Sequence, residues 1–320
     1  MRVLSGIQPS GALHIGNYFG ALKQYLALQH DHDCFYFIAN YHALTSVHDA
    51  AELRRRSLEV AATFLGLGLD PQVATIFLQS DVPEVTELAW LLSTVTPMGL
   101  LERCHAYKDK LAQGVPAEHG LFAYPVLMAA DILIVNSHLV PVGQDQKQHV
   151  EVTRDLALRF NNRFGEVFTL PEPLILEDVA VIPGLDGRKM SKSYGNTIEI
   201  LDEPGVLKKK VMSIKTDSTP VEDPKDPDTD NIFALFRLFA PADELAEMRR
   251  KYVEGGAAYG EVKKRTAALM VEHFAEAREK TRELLAQPEQ LREILADGAT
   301  RARAVARPTL DRAREACGLL

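Results

Sequence analysis

Short apolar runs alternate with longer segments of helical periodicity over the first 195 residues of the chain. The apolar runs predict strands over residues 3–5, 34–39, 74–79 and 139–142. The periodic segments predict helices near residues 16–29, 50–66, 83–95, 98–112, 119–135 and 147–163, with Asp49 as the N-cap of the second. This alternation is typical of a parallel sheet covered by helices, so we predict a doubly wound, Rossmann-like α/β fold.

Two stretches depart from this alternation. Residues 98–137 hold two predicted helices without a strand between them, and we interpret them as a helical insertion that carries substrate specificity or a dimer face. Residues 216–231 are rich in proline and acidic side chains, which predicts an exposed connection. The residues after it are rich in Ala, Glu, Lys, Arg and Leu, which predicts helices. We therefore expect a Rossmann-like domain over 1–195 and a small all-helical domain over 196–320.

Composition narrows the class of protein. The chain has 320 residues, of which 46% are hydrophobic and 25% are charged, as in ordinary globular proteins. Its net charge of −8 excludes a wholly electropositive surface but allows a local basic patch. The three cysteines, Cys34, Cys104 and Cys317, are far apart, so we expect no disulfide framework, no metal-ligating set and a reducing, cytoplasmic location. The longest apolar stretch, over 121–135, is shorter than the roughly 20 residues of a membrane span, so we expect no membrane segment.

Two surface features each allow two interpretations. The predicted helices over 82–95 and 97–101 lack a clear polar stripe, which suits either a dimer interface or a helix buried within the chain. Basic residues cluster near the end of the chain, where they form either a solvated helix face or a contact with a polyanion: Arg301, Arg303, Arg307, Arg312 and Arg314.

A glycine-rich segment, GIQPSGALHIGN over residues 6–17, leads from the first predicted strand into the first helix. Free backbone N–H groups and the helix dipole make such a turn a place where phosphates bind. The segment matches neither GxGxxG nor GxxxxGK[ST], so the usual dinucleotide and P-loop motifs are excluded. His14 and Asn17 lie one turn apart and can donate to phosphate oxygens, while Gly16 allows a flat base to approach. The alternative is an ordinary strand-to-helix turn with a capping histidine.

A second segment, GLDGRKMSKSYG over residues 184–195, places Lys189 and Lys192 three residues apart among glycines and small hydroxyls. A loop of this composition can close over a triphosphate and stabilise the charge that develops on departing pyrophosphate. Taken alone, a loop of this composition is more often a basic surface connection.

Together, HIGN and KMSKS, about 175 residues apart, resemble the paired signatures of class I aminoacyl-tRNA synthetases. GQDQKQH over 143–149, TRDLA and RFN within 153–161, and LMAADIL over 127–133 add to this pattern. In this order with GIQPSG, they resemble the bacterial tryptophanyl-tRNA synthetases along essentially the whole chain. The resemblance implies activation of tryptophan by ATP to an aminoacyl-adenylate and its transfer to tRNA(Trp).

The resemblance also implies a role for individual residues. Those implied in catalysis are His14, Asn17, Lys189 and Lys192. Those implied in ATP binding are Gln8, Pro9, Ser10, Gly16, Asn17, Gly143, Gln144, Asp145, Ile182, Lys189, Met190, Ser191, Lys192 and Ser193. Those implied in tryptophan binding are Asp131, which reads the ring, Tyr124 and Gln146, which hold the amino and carboxylate groups, and the pocket walls Leu4, His42, Met128, Ile132, Val140 and Val142.

Further partners follow from the same resemblance: Mg²⁺ bound mainly through the phosphates, a second copy of the chain in a homodimer, and a tRNA anticodon read by the helical domain over 196–320. Two positions depart from the family pattern. Leu4 stands where relatives often carry an aromatic residue, which puts ring stacking from that side in doubt. Asn17 replaces the second histidine of the general class signature, a variation that the tryptophanyl branch shares. Lys108 and Lys110 can add positive charge from the insertion, although surface solvation explains each of them singly.

Asp131 has an unusual position in the predicted helix over 119–135. Tyr124, Met128, Asp131 and Val135 fall on one face, which places a carboxylate among an aromatic ring, a thioether and an aliphatic side chain. An ionised Asp only accepts hydrogen bonds, and burying it without a donor is costly, so we expect a partner with an N–H or O–H. An indole fits, and so does the hydroxyl of tyrosine, the nearest competitor. Alternatively, Asp131 is a structural residue that bonds a neighbouring backbone group or an arginine.

Two functions of other classes remain open. A nucleotidyltransferase that makes adenylated cofactors shares a HIGH-like turn and a basic loop, but has no need of an arginine cluster at its C-terminus. A synthetase-like binding module without catalysis is expected to lack the lysines of the second motif, whereas Lys189 and Lys192 are present.

Overall fold

The computed structural model describes residues 1–104, 107–108, 118–143, 146–175 and 181–320. The strands of this part of the chain form one all-parallel sheet in the order β3-β2-β1-β4-β5. They are β1 Arg2–Ile7, β2 Asp33–Ile38, β3 Thr75–Leu78, β4 Leu139–Val142 and β5 Glu172–Ile175. The strand order runs outward from β1 in both directions, which confirms the predicted doubly wound, Rossmann-like arrangement.

The sequence predicts four of the five strands. In β2, every residue after Asp33 is buried, as expected for a parallel strand covered on both faces. The strand β5 was not predicted, because its sequence EPLI lacks an uninterrupted apolar run and contains Pro173. Proline is tolerated there since β5 is an edge strand and pairs only with β4.

The helices of the described residues follow the predicted pattern with shorter bounds in places. They are α1 Ile15–Asn17, α2 Lys23–Leu28, α3 Asn40–Ala43, α4 Ala50–Gly66, α5 Glu84–Ser93, α6 Met98–Glu102, α7 His119–Ile134, α8 Lys147–Phe164, α9 Pro204–Met212, α10 Asn231–Phe239, α11 Ala242–Glu254, α12 Tyr259–His273, α13 Ala275–Ala286 and α14 Pro288–Ala316. The predicted cap of α4 is confirmed, since the Asp49 carboxylate accepts the Glu52 N–H over 2.7 Å. The helix predicted over 16–29 is instead α1, a π-helical turn at Tyr18–Leu22 and α2. The middle of the predicted insertion, residues 105–106 and 109–117, lies outside the described residues.

The described residues divide into two compact units. The first unit takes those within Met1–Ser10, Gln24–Glu177 and Glu283–Leu320, and the second takes those within Gly11–Lys23 and Asp178–Arg282. This division does not coincide with the single boundary at residue 195 that the composition suggests. Residues 11–23 associate with the later segment through bonds such as Ile15 N–H to Ile198 O at 2.9 Å, and α14 packs on the sheet.

The helix α14 packs against β3 and α5 within the first unit. At Gly298 a Cβ would lie 1.9 Å from the carbonyl oxygen of Ile76, so only glycine permits this approach. The Arg303 guanidinium binds both carboxylate oxygens of the buried Glu84, and Arg301 donates to the Pro71 carbonyl. These arginines therefore bond within the first unit, which neither interpretation of the C-terminal cluster had anticipated.

Each unit has its own apolar core. In the first unit, side chains from the sheet, α5, α7, α8 and α14 form one buried cluster. In the second unit, Phe233 and Phe236 of α10 are fully buried, as are Tyr252 and Met270. Among the described residues, no helix has both the length and the apolarity that a membrane crossing requires.

Candidate functional site

The two signature motifs meet within the second unit. The Lys192 ammonium donates to the Gly11 carbonyl over 2.9 Å, and a Cβ placed on Gly16 would lie 3.6 Å from Cβ of Met190. Met190 itself is buried. An isolated antiparallel β-bridge pairs Pro183 with Lys189 in the same loop. The basic loop is therefore docked on the glycine-rich turn, which brings a lysine charge to the place where backbone N–H groups and the start of α1 favour phosphate.

His14 and Asn17 are held by their own turn. The Asn17 Oδ1 accepts the backbone N–H of His14 over 3.0 Å, which fixes the amide at the start of α1. Burial, together with the nearby Lys192 charge, lowers the pKa of His14 to about 4. The imidazole is thus neutral at physiological pH and can donate a single N–H. A Cβ on Gly16 would lie 2.9 Å from Nδ1 of His14, so the glycine at this position makes room for the histidine ring.

Asn196 is a central residue of the basic loop, although the sequence motifs did not point to it. Its side chain is buried, and its Nδ2 donates to Asp186 Oδ1 over 2.7 Å and to the Lys189 carbonyl over 3.2 Å. Its Oδ1 accepts the Ser191 N–H over 2.8 Å. The hydrogen bond from Asn196, with the neighbouring Arg188, lowers the pKa of Asp186 to about 2. One amide thus fixes the backbone on both sides of Met190 within KMSKS.

In the first unit, Asp131 lies on α7 and is 3% exposed. Its Oδ2 lies 2.9 Å from His42 Nε2, and Gln79 Nε2 donates to Oδ1 over 2.8 Å and to Oδ2 over 2.9 Å. Burial raises the pKa of Asp131, whereas the bonds from His42 and Gln79 oppose that rise. The carboxylate thus has donors within the protein, but they are His42 and Gln79 from other elements, not the neighbouring backbone group or arginine of the structural alternative.

A cavity of about 470 Å³ opens beside this network. His42 and Tyr124 line it, whereas Asp131, which is bonded to His42, is absent from the lining. Tyr124 also approaches His149, with 3.1 Å between the hydroxyl and Nε2. The remaining lining residues are Tyr41, Leu44, Thr45, His48, Thr86, Glu118, Gly120, Leu121, Ala123 and Leu127. Its volume is in the usual range for a small-molecule site.

The other predicted tryptophan residues lie in the same unit. Leu4, Ile132 and Val140 are buried in its core cluster, and Met128 and Val142 pack against that cluster half-buried. Gln146 is exposed immediately before α8. The structure thus places the apolar members together around α7 and β4, whereas the cavity next to them shares only His42 and Tyr124 with the predicted set.

The predicted ATP residues are divided between the units. Gln8, Pro9, Ser10 and Gly143 belong to the first, while Gly16, Asn17, Ile182 and residues 189–193 belong to the second. Gln144 and Asp145 lie outside the described residues, as does Lys110, and Lys108 is exposed. Within the part of the chain that the structure describes, no group of three or more His, Cys, Asp or Glu side chains is placed to hold a metal ion.

The chain is similar to known proteins over its full length. It is 56% identical over 319 residues to a tryptophan–tRNA ligase of Rhodopirellula baltica and 55% identical to that of Campylobacter jejuni, with each pair covered from end to end. A crystal structure of the Campylobacter jejuni tryptophanyl-tRNA synthetase, complexed with ADP and tryptophan, matches the whole fold with a TM-score of 0.94 at 55% identity. A tyrosyl-tRNA synthetase of Archaeoglobus fulgidus, at 20% identity and a TM-score of 0.69, shares the fold alone. The family model described as tRNA synthetases class I (W and Y) matches residues 1–275, and the chain belongs to this family of class I tRNA synthetases.

Proposed function

We propose that this chain activates L-tryptophan with ATP to tryptophanyl-adenylate and transfers the tryptophanyl group to tRNA(Trp). The observation that carries the proposal is the bond between Lys192 and Gly11, which unites the two signature motifs at one turn. The end-to-end identity to tryptophan–tRNA ligases supports tryptophan over tyrosine as the substrate. Because tRNA is the acceptor, we propose that the protein acts in the cytoplasm.

The proposed first step needs positioning and charge stabilisation more than covalent help from the protein. A carboxylate oxygen of tryptophan attacks the α-phosphorus of ATP, and the bond from that phosphorus to the bridging oxygen of the β-phosphate breaks. Pyrophosphate leaves with the electron pair. Lys192 and Lys189 supply positive charge for the departing group, while the neutral His14 donates a hydrogen bond.

Mg²⁺ is proposed to bind through the phosphates of ATP. The described side chains contain no cluster of three or more acidic, histidine or cysteine ligands that fits a protein-held ion. Mg²⁺ usually keeps several waters and is bound by substrate phosphates together with one or two carboxylates, so a cluster of three protein ligands is not needed. No step of the proposed reaction is assigned to a metal held by the protein.

The proposed ring-reading residue is Asp131. Its carboxylate is buried on the helix that also carries Met128 and Ile132, and a buried charged acceptor favours a ligand with a flat apolar body and one N–H. Tyr124 and Gln146 are proposed to hold the amino and carboxylate groups of the substrate.

The macromolecular partners are also proposals. Trp90 on α5 is 70% exposed and Met98 at the start of α6 is 63% exposed, which supports a homodimer interface on these helices. For tRNA, the helices α9 to α13 are the better candidates within residues 196–320, since Arg301 and Arg303 of α14 bond to the first unit. Exposed Lys and Arg side chains on those helices are Lys208, Lys209, Arg237, Arg249, Arg250, Lys264, Lys280 and Arg282.

ATP–pyrophosphate exchange tests the proposal. The purified protein is assayed with tryptophan, with tyrosine and with no amino acid, and we expect exchange with tryptophan alone. Exchange with tyrosine and not with tryptophan would identify tyrosine as the substrate. Exchange without an amino acid would favour a nucleotidyltransferase. Absence of exchange in all three reactions would leave only a binding module. Charging of tRNA(Trp) with labelled tryptophan then tests the second step.

A further inference from the structure

We infer that Gln79 determines specificity by holding the Asp131 carboxylate so that one oxygen, Oδ1, keeps a single acceptor site for the indole N–H. This inference rests on the proposed function, in which Asp131 reads the tryptophan ring. Gln79 would act on the substrate through Asp131 and is therefore a positioning residue.

Gln79 occupies a fixed and enclosed place. It follows β3 directly, begins the short 3₁₀ turn Gln79–Asp81 and is 0% exposed. Its Oε1 accepts the backbone N–H of Tyr41 over 3.0 Å. A backbone N–H can only donate, so this bond settles which end of the side-chain amide is oxygen and turns the Nε2 group toward Asp131.

The hydrogen bonds around Asp131 leave it one free acceptor direction. An ionised carboxylate has about four lone-pair sites, two on each oxygen. Oδ2 faces both His42 Nε2 and Gln79 Nε2, whereas Oδ1, among the residues that the structure describes, receives a hydrogen bond only from Gln79. The remaining site on Oδ1 matches a ligand that brings one N–H at the edge of an apolar ring, as indole does.

The two donors also favour the ionised form of the carboxylate, against the burial that raises its pKa. In apolar surroundings an Asp tends to take up a proton, and a protonated oxygen would present an O–H where an acceptor is needed. Because Gln79 Nε2 donates to both oxygens, it favours the form in which both are acceptors. The removal of this amide is therefore expected to weaken the contact that depends on the indole N–H and to leave the apolar contacts of the ring in place.

The test compares tryptophan with 3-benzothienylalanine, in which sulfur replaces the indole N–H on a ring of similar shape. The KM of the sulfur analogue divided by the KM of tryptophan, both measured in ATP–pyrophosphate exchange, gives the contribution of the N–H to binding. We expect a large ratio for the unmodified protein and a ratio about tenfold smaller for Gln79→Met, since a hydrogen bond to a charged group is typically of that worth. A merely structural role would raise both KM values alike and leave the ratio unchanged, which would overturn the inference.

Gln29→Met is the matched control. Gln29 is also a buried glutamine of the first unit, whose Oε1 accepts the Asp70 N–H over 2.9 Å and whose Nε2 donates to the Gly68 carbonyl over 3.2 Å. It has no bond to Asp131, so its loss should not change the ratio. If Gln79→Met does not fold, Gln79→Leu removes the same amide with a smaller apolar side chain, and the ratio is measured on that variant.

The outcomes separate this inference from the proposed function. No exchange with tryptophan in the unmodified protein would overturn both. Exchange with tryptophan and an equal KM for the sulfur analogue would overturn the reading by Asp131, and this inference with it. A large ratio that persists in both Gln79 variants would overturn the inference alone.

Discussion

Lys192 and Gly11 are joined by a hydrogen bond of 2.9 Å between the lysine ammonium and the glycine carbonyl. Gly11 has a φ of +149°, and a Cβ on it would lie 3.5 Å from Cδ of Lys192. Glycine at this position thus permits the backbone conformation, whereas a Cβ would make only ordinary contact with the lysine side chain. The loop bearing Lys192 is anchored on the turn where phosphate is proposed to bind.

Lys192→Ala should lower the rate of adenylate formation by about two orders of magnitude, because it removes charge that stabilises the departing pyrophosphate. The KM for tryptophan should change little, since Lys192 belongs to the unit that does not contain Asp131. Pyrophosphate exchange at saturating ATP measures both quantities. Lys208→Ala, which removes an exposed lysine of the same unit, is the control. An unchanged kcat for Lys192→Ala would contradict the assignment.

His14 should titrate far below an ordinary histidine. Its pKa is lowered to about 4 by burial first and by Lys192 second, so Lys192→Met should raise the midpoint without restoring the usual value of about 6.5. The unfolded chain binds this proton more readily than the folded one. The stabilising contribution is therefore complete above about pH 6.5 and is lost as the pH falls toward 4.

NMR of the imidazole resonances checks this titration. The chain has ten histidines, so the spectrum of His14→Gln is needed to identify the signal. A midpoint near 6.5 in the unmodified protein would show that the histidine is not buried. A midpoint that is the same in Lys192→Met would show that the lysine charge does not act on it.

The sequence predicted the fold better than it predicted the site. Parallel strands buried on both faces are legible as apolar runs, which explains why the sequence predicts β1 to β4. The four residues of β5, none of them buried, form no such run. Helical periodicity places Asp131 on an apolar face, but it identifies only those neighbours that are a few residues away in the sequence. Its donors, Gln79 and His42, lie 52 and 89 residues away on other elements, and only the folded sheet brings them to it.

Asp131→Asn should raise the KM for tryptophan about tenfold or more, with a smaller effect on kcat. The neutral amide is a weaker acceptor, and its NH₂ group would face donors from His42 and Gln79. Exchange kinetics with tryptophan give both constants, and thermal unfolding separates a local effect from loss of the fold. Asp31→Asn changes an exposed Asp of the same unit and should be neutral. An unaltered KM for tryptophan would remove Asp131 from the pocket.

Gly298→Ala should destabilise the first unit by about 1–3 kcal/mol, because the added methyl group meets the Ile76 carbonyl at 1.9 Å and forces α14 away from β3. Gly260→Ala is a matched control in α12, where a Cβ would find no neighbour within 4 Å. It should be neutral or stabilising by up to about 1 kcal/mol. Urea unfolding compares the two. Equal midpoints would mean that α14 does not pack on β3 as closely as described.

Arg303→Met should lower the free energy of unfolding by about 1–2 kcal/mol, since it leaves the Glu84 carboxylate, 4% exposed, without its cation. Arg303 is itself half exposed, which keeps the loss below that of a fully buried pair. Arg307→Met on the same helix breaks an exposed pair with Asp311 and should cost less than about 0.5 kcal/mol.

A double variant identifies the cause of that loss. If the isolated Glu84 charge is responsible, Glu84→Gln combined with Arg303→Met should be more stable than Arg303→Met alone, because a neutral amide is less costly to bury than a carboxylate. Affinity for tRNA(Trp) should be the same in all of these variants, since the Arg303 guanidinium is occupied within the first unit. A loss of tRNA binding without a loss of stability would instead return this arginine to the surface that contacts the nucleic acid.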